Sequence, residues 1–263
     1  MTQEIKERMD PETFSPMSYA AHVGLYKFAS EYCASKEVLD MACGIGYGSV
    51  ILSQASSSVV GAELSLGALR ENRDEGSPNL QFVCVDASRP PFAFRSFDVI
   101  VSIETIEHLP DYRSFLTACS SLLRPDGVLV ISTPNTVFSE PTKLLMNKDA
   151  RPANPFHVRE FRTGEFASLL RSYFGDVTLF SQSYMPFRAR AAMAAMELSH
   201  LVLPKGLRRR ISNSAHDAIG KGMGLDENLA LEGGSVIPFK KNCATLVAVC
   251  RQPTMAKGSE VVI

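Results

Sequence analysis

Three carboxylates and one acidic–imidazole segment hold most of the chemistry this chain can do. Asp40 lies in VLDMACGIG, Glu63 in VVGAELS and Asp86 in QFVCVDAS, each closing a short apolar run. The run Gly44-Ile-Gly46-Tyr-Gly48 follows the first of them. Glycines there let backbone approach a ligand closely, and the start of the next helix favours an anionic group. Glu63 stands about 20 residues past the glycines, where a carboxylate can accept both ribose hydroxyl hydrogens. Asp86, closing the third run, can accept from an adenine amino group. Further along, Glu104-Thr-Ile-Glu107-His108 puts two carboxylates and an imidazole on one face if it forms a helical turn. Such a set can ligate Mg2+, Mn2+ or Fe2+. Without a metal, His108, or His157 in NPFHVREF, can serve as the base that takes a proton from a hydroxyl nucleophile. A purely structural turn contact is the third reading.

The elements that must position these residues follow from hydrophobic periodicity. Short β-branched runs predict strands over 38–42, 59–64, 80–85, 97–103, 127–133, 176–182 and 243–251. Helix-period stretches predict helices over 49–55, 66–74, 113–123 and 165–174, with a turn at Arg124-Pro-Asp-Gly127. Near-continuous apolar strands alternating with helices give an α/β fold: a mostly parallel seven-stranded sheet with helices on both faces. In such a sheet ligands bind beyond the carboxyl ends of the strands, where Asp40, Glu63 and Asp86 fall. His22 and Tyr26, four apart on a helix before the first strand, share a face; they either cap that pocket or simply pack.

The 263 residues suit a single domain, 1–263, with a core of about 20–184 and 241–251. Residues 185–240 break the rhythm as a helical insertion before the last strand. Its Met/Ala-rich stretch, Phe187 to Leu203, and its basic run, Lys205 to Arg210, read as a lid or dimer contact, a phosphate grip, or a peripheral membrane contact. A net charge of −1 makes no case for a nucleic-acid partner. Six cysteines without a CxxC read as small buried hydrophobes in a reducing compartment. The polar start, MTQEIKERMDPE, is no signal peptide, and no apolar run reaches the roughly 18 residues of a membrane span, so a cytoplasmic location is expected.

A Gly-x-Gly alone suits NAD equally well, but the dinucleotide fingerprint GxGxxG lacks its third glycine here. VLDMACGIGYGS resembles the first motif of class I S-adenosylmethionine-dependent methyltransferases, commonly written VLDxGCGxG. FDVIVSIETIEHLPD and LLRPDGVLVISTPN resemble that family's fourth- and fifth-strand motifs, and the similarity runs in order over roughly residues 20 to 182. It implies a Rossmann-like domain that binds S-adenosylmethionine. Asp40 and the backbone from Ala42 through Gly44 to Gly46 would hold the methionine moiety, Glu63 the ribose, and Asp86 with Ala87 the adenine. Leu64 and Ile103 are counted with His22 among the cofactor-binding residues. Ala42 stands where the family usually has its first glycine.

Glu104-x-x-Glu107-His108 also resembles the metal motif of ubiquinone-pathway O-methyltransferases and of small-RNA ribose 2′-O-methyltransferases. In the RNA enzymes a further His completes the site, which makes His157 the candidate fourth ligand for Mg2+ or Mn2+. STPN followed by NPFHVREF is similar to methyltransferases found with bacterial glycan assembly genes, pointing to a sugar or glycan hydroxyl as acceptor. Arg159 and Glu160 either orient a polar acceptor or form a surface ion pair. The alternatives are a quinone-pathway phenol or RNA 2′-hydroxyl as acceptor, a non-catalytic protein retaining the fold, and an NAD-dependent oxidoreductase.

Overall fold

The computed structural model describes residues 16–71, 77–136, 154, 156–184, 235–240 and 243–254. Its centre is a sheet built from β1 (Glu37–Met41), β2 (Ser58–Glu63), β3 (Leu80–Cys84), β4 (Phe97–Ser102), β5 (Leu123–Pro134), β6 (Phe174–Tyr184), β7 (Val236–Pro238) and β8 (Cys243–Pro253). The spatial order is β3-β2-β1-β4-β5-β8-β6-β7. β1 to β5 pair in parallel, and β8 runs antiparallel between β5 and β6. The sheet therefore has eight strands rather than seven. The extra one, β7, pairs antiparallel with β6 at its edge and lies within the stretch expected to be a helical insertion. The rest of that expected lid, 185–234, falls outside the described residues, as do 241–242.

Helices α1 (Pro16–Ser30), α2 (Tyr47–Ser53), α3 (Leu66–Arg70), α4 (Tyr112–Leu122) and α5 (Thr163–Arg171) connect or flank the strands. Alternation along the central strands divides the interior into two cores. Leu39, Met41, Ile100, Leu129, Ile131, Leu246 and Ala248 face Phe115, Leu116, Cys119 and Leu122 of α4 and Phe166 and Leu170 of α5. Val38, Val99, Val101, Val130, Val247 and Val249 face Leu25, Tyr26 and Ala29 of α1 and Leu52 of α2. Strands buried on both faces read as continuous apolar runs, which is why the sequence pattern locates them well. The cysteines Cys33, Cys43, Cys119, Cys243 and Cys250 are buried and unbridged, whereas Cys84 is exposed. Among the described residues no helix is long and apolar enough to cross a membrane.

Two details shape the opposite ends of the sheet. The expected turn at Arg124–Gly127 is an excursion inside β5: Leu123 pairs with Phe97, and pairing resumes at Val128 with Val99. A three-residue surplus on one strand must loop out, and only there can the chain keep the sheet continuous. At the other end, α2 presses on β2. A Cβ on Gly61 would lie 2.9 Å from Ser49 Oγ and 2.6 Å from the Phe82 ring. Ser49 occupies the place of the third glycine of a dinucleotide fingerprint, so the close helix–strand approach which that glycine normally permits is provided here from the strand side. Gly61→Ala is expected to lower stability by about 1–3 kcal/mol, the usual cost of overpacking, as measured by denaturant unfolding.

Candidate active site

Chain order reverses between β1 and β4: β2 and β3 lie to one side of β1, and β4 and β5 to the other. The crevice at such a switch point is where open α/β sheets bind ligands. One lip is the glycine loop after β1. Ala42, Gly44 and Gly46 take left-handed backbone at φ 63°, 60° and 85°, and the amides of Ala42 and Cys43 both bond to the Ala62 carbonyl at 2.7 and 3.0 Å. A Cβ on Gly44 would meet nothing within 4 Å, so the loop backbone lies open to a ligand. Glu63 closes the adjacent strand. Its Oε2 accepts from the Gly44 amide (3.1 Å) and its Oε1 from the Ser65 amide (2.8 Å). Leu64 beside it is 68 % exposed, an apolar surface next to the carboxylate. This combination of bare backbone, fixed carboxylate and apolar wall fits an adenosyl group.

Asp40 is placed differently from the expectation. It is completely buried, accepting from Ser49 Oγ at 2.6 Å and from the Tyr26 hydroxyl at 3.3 Å. It therefore supports the loop from beneath and reaches a ligand only through its partners. Burial pushes its carboxyl up to about 7, against the Ser49 and Tyr26 hydrogen bonds. Tyr26 is itself buried, and its ring fills the space over Gly48, where a Cβ would come within 2.0 Å of it. Of the two residues expected to cap the pocket, Tyr26 is thus part of the loop's foundation. His22 bonds through Nδ1 to the Tyr47 hydroxyl, in a cluster of rings with Tyr19 and Tyr26. Burial lowers the His22 imidazole to about 4, so it is neutral at physiological pH.

Asp86 follows β3 at the surface, where its Oδ1 accepts from the amide (2.8 Å) and hydroxyl (2.7 Å) of Ser88. Those bonds hold its carboxyl below the usual range. Ala87 and Ile103 are buried beside it and beyond β4 respectively.

The other lip carries the acidic–imidazole segment. No helical turn spans 104 to 108; Glu104 has left-handed backbone at φ 49°, and a 3-10 turn begins only at Ile106. Glu104 and Glu107 therefore do not share a helix face. Each is instead set by a hydroxyl on β5. Ser132 Oγ accepts from the Glu104 amide (3.0 Å) and donates to Glu104 Oε1 (2.9 Å), and Thr133 Oγ1 donates to Glu107 Oε2 (2.9 Å). The segment around His157 is fastened to this turn. The Glu107 carbonyl accepts from the amides of Val158 (2.9 Å) and Arg159 (3.1 Å), and His108 Nδ1 meets the Phe156 carbonyl at 3.1 Å. A carbonyl only accepts, so Nδ1 carries the His108 proton and Nε2 is the basic nitrogen; it lies 3.8 Å from Glu107 Oε1. His157 packs edge to face with His108 at 4.9 Å between ring centroids. Its Nδ1 faces Glu160 Oε1 at 3.4 Å and its Nε2 faces Asn154 Nδ2 at 3.0 Å.

Ligand atoms of Glu107, His108 and His157 lie within 4.8 Å of one another, a spacing one divalent ion can bridge. Glu104, expected as a ligand together with Glu107, His108 and His157, is not in that group; burial pushes its carboxyl up to about 7, eased by Ser132 and by nearby His157. Two imidazoles with one carboxylate suit Mn2+ or Fe2+ better than Mg2+, which prefers oxygen ligands. Of the pair Arg159 and Glu160, Arg159 is the surface ion pair: it bonds Glu165 and the Tyr112 hydroxyl and lies over the Tyr112 and Phe161 rings. Glu160 turns inward to His157. Residue typing missed Ser132, Thr133 and Ser49. Their only signal was a pair of hydroxyl residues ending a strand and a serine where a glycine was wanted.

The sequence model of a methyltransferase domain family matches residues 17–174. A protein of Mycolicibacterium smegmatis named a probable S-adenosylmethionine-dependent methyltransferase is 31% identical over 154 residues, 59% of this chain and 57% of the relative. A ubiquinone biosynthesis O-methyltransferase of Rhizobium rhizogenes is 32% identical over 101 residues, 37% of this chain and 41% of that protein. The chain thus spans about half the length of the curated relatives it matches. The crystal structure of a SAM-dependent methyltransferase of Thermotoga maritima, described as a possible histamine N-methyltransferase, superposes with a TM-score of 0.57 at 15% identity, over 90% of this chain and 91% of that one. That likeness establishes a shared fold.

The buried Asp40 gives a prediction with a definite sign. A carboxyl raised to about 7 in the folded state contributes stability below its unfolded value near 4, and this is lost as pH rises toward 7. Asp40→Asn removes that dependence. The melting temperature of the variant relative to the native chain is therefore expected to rise from pH 4 to pH 7, by an amount on the order of a few kcal/mol in stability. A constant difference across that range would contradict the buried, poorly solvated carboxyl.

Proposed function

We propose that this chain, which belongs to the methyltransferase domain family, is an S-adenosylmethionine-dependent O-methyltransferase acting on a hydroxyl of a sugar or glycan intermediate. The observation that carries the reading is the open backbone at Gly44 bonded to the Glu63 carboxylate, beside exposed Leu64. When bound, S-adenosylmethionine supplies an electrophilic methyl on a sulfonium whose leaving group is a neutral thioether. The chain's own work is then orientation and proton management. The Gly44 backbone, Glu63 and Leu64 would hold the adenosyl end across the tips of β1 and β2, beside the crevice between β1 and β4. At the opposite lip His108, kept with its proton on Nδ1, presents Nε2 to take the acceptor's hydroxyl proton. Glu107 beside that nitrogen stabilises the imidazolium that forms.

Support for a sugar acceptor is the similarity of STPN and NPFHVREF to methyltransferases of glycan assembly. A phenol is the second reading, favoured by the similarity to the ubiquinone biosynthesis enzyme. Under either reading Glu107, His108 and His157 would hold a divalent ion if one is used; His108 would then be a ligand in place of the base, and the ion's chemistry would be to lower the pKa of a coordinated hydroxyl.

Incubation with methyl-labelled donor and panels of sugar nucleotides, glycans and phenols, read by mass spectrometry, tests the acceptor class. Label on a sugar hydroxyl is expected; label on phenols alone would overturn the sugar reading. His108→Ala is expected to reduce turnover by about 10²–10⁴-fold while S-adenosylhomocysteine affinity stays within about threefold. Unchanged turnover would remove His108 from the chemistry.

A further inference from the structure

The left-handed backbone of Glu104 is not demanded by a tight turn of glycine or asparagine type. An L-residue there costs about 1–2 kcal/mol relative to its ordinary conformations, and such strain persists only where surroundings over-determine it. The surroundings here are Ser132. Its hydroxyl takes the Glu104 amide and gives its own hydrogen to Glu104 Oε1, closing a ring that fixes backbone and carboxylate together. Ser132 is completely buried on a strand buried throughout this stretch, so it is a rigid anchor.

The register says where this fixed carboxylate stands. Asp40 of β1 lies opposite Val101 of β4, so two residues on, Ala42 opens the glycine loop beside Ile103, and Glu104 follows. Glu104 therefore stands at the β4 tip bordering the switch-point crevice, with its carboxylate held on the β5 side by Ser132. His157, near enough to ease the ionisation of Glu104, stands beyond it. Glu104 keeps part of its surface open, and it stays outside the group formed by Glu107, His108 and His157. It borders the crevice next to His157, and the charge of a sulfonium donor must come near it if the methyl is to reach an acceptor beside His108.

The geometry points to Glu104 as the anionic wall that recognises the positive centre of the methyl donor, with Ser132 as the positioning residue that holds it there. This rests on the reading that the crevice binds S-adenosylmethionine. The carboxylate distinguishes a cationic donor from its neutral spent form, favouring release of S-adenosylhomocysteine after transfer. It also makes the strain at φ 49° functional: relaxing Glu104 to ordinary backbone would break the ring with Ser132 that fixes its carboxylate at the crevice.

The test needs no acceptor. S-adenosylhomocysteine is neutral at sulfur, whereas sinefungin carries an ammonium where the donor has its methyl sulfonium. Calorimetry with both ligands on the full chain gives a ratio of dissociation constants. The unaltered chain is expected to prefer sinefungin. Glu104→Gln and Ser132→Ala are each expected to reduce that preference about tenfold, the scale of one charge–charge contact in a partly solvated cleft, while S-adenosylhomocysteine affinity stays within about threefold. Because the ratio compares two ligands on one protein, general loss of stability does not move it; if Glu104→Gln fails to fold, Ser132→Ala carries the measurement. A ratio unchanged in both variants, with S-adenosylhomocysteine still bound, overturns the proposal alone. A ratio lowered in Glu104→Gln only overturns the part given to Ser132. If the unaltered chain binds neither ligand, the donor reading fails and takes this proposal with it.

Discussion

A carboxylate without water holds the ligand-facing half of this protein in place. Asp40 is sealed beneath the glycine loop, and its two oxygens draw on Ser49 of α2 and Tyr26 of α1. A buried acid is costly unless its acceptor sites are used, so the three elements that meet at Asp40 cannot separate cheaply. That constraint propagates outward. Ser49 needs Gly61 for clearance and Tyr26 needs Gly48. With α2 so placed, the loop from Ala42 to Gly46 is forced through left-handed backbone with its amides on Ala62 and Glu63.

The other half depends on β5. Its last turn of sequence, Ile-Ser-Thr-Pro-Asn, is a row of fasteners. Ser132 sets Glu104, Thr133 sets Glu107, and Asn135 bonds to the Cys243 carbonyl while pairing with Phe161. Phe161 in turn ends the segment that brings His157 to His108. Because Glu107 accepts two amides of that segment through its carbonyl while its carboxylate faces His108, one residue couples the loop's position to the local charge. The two halves flank the crevice that opens beyond the paired strands β1 and β4, so a ligand bound there would touch both.

The sheet was legible in the sequence because strands buried on both faces are mostly apolar: Val38, Leu39 and Met41 in β1, and Val99 to Val101 in β4. Glu63 and the glycines were legible because ligand approach restricts residue type. Less visible were facts set by tertiary neighbours. Asp40 looks like a ligand contact from its motif, yet its burial comes from Tyr26, on a helix whose approach no local pattern encodes. Glu104, Glu107 and His108 fit helical spacing, but the strain at Glu104 depends on Ser132, 28 residues away. The three-residue strand β7 is too short to carry a period. The Ala42 substitution was visible, but the left-handed conformation it tolerates was not.

The adenosyl moiety is expected to lie across the tips of β1 and β2 with its sulfur turned toward β4. A crystal structure of the chain soaked with S-adenosylhomocysteine tests it directly. The expected result is ribose hydroxyls on Glu63, the purine against Leu64 and the sulfur between Gly44 and Glu104. Density for the ligand elsewhere, or an empty crevice in a soaked crystal at saturating ligand, would contradict it.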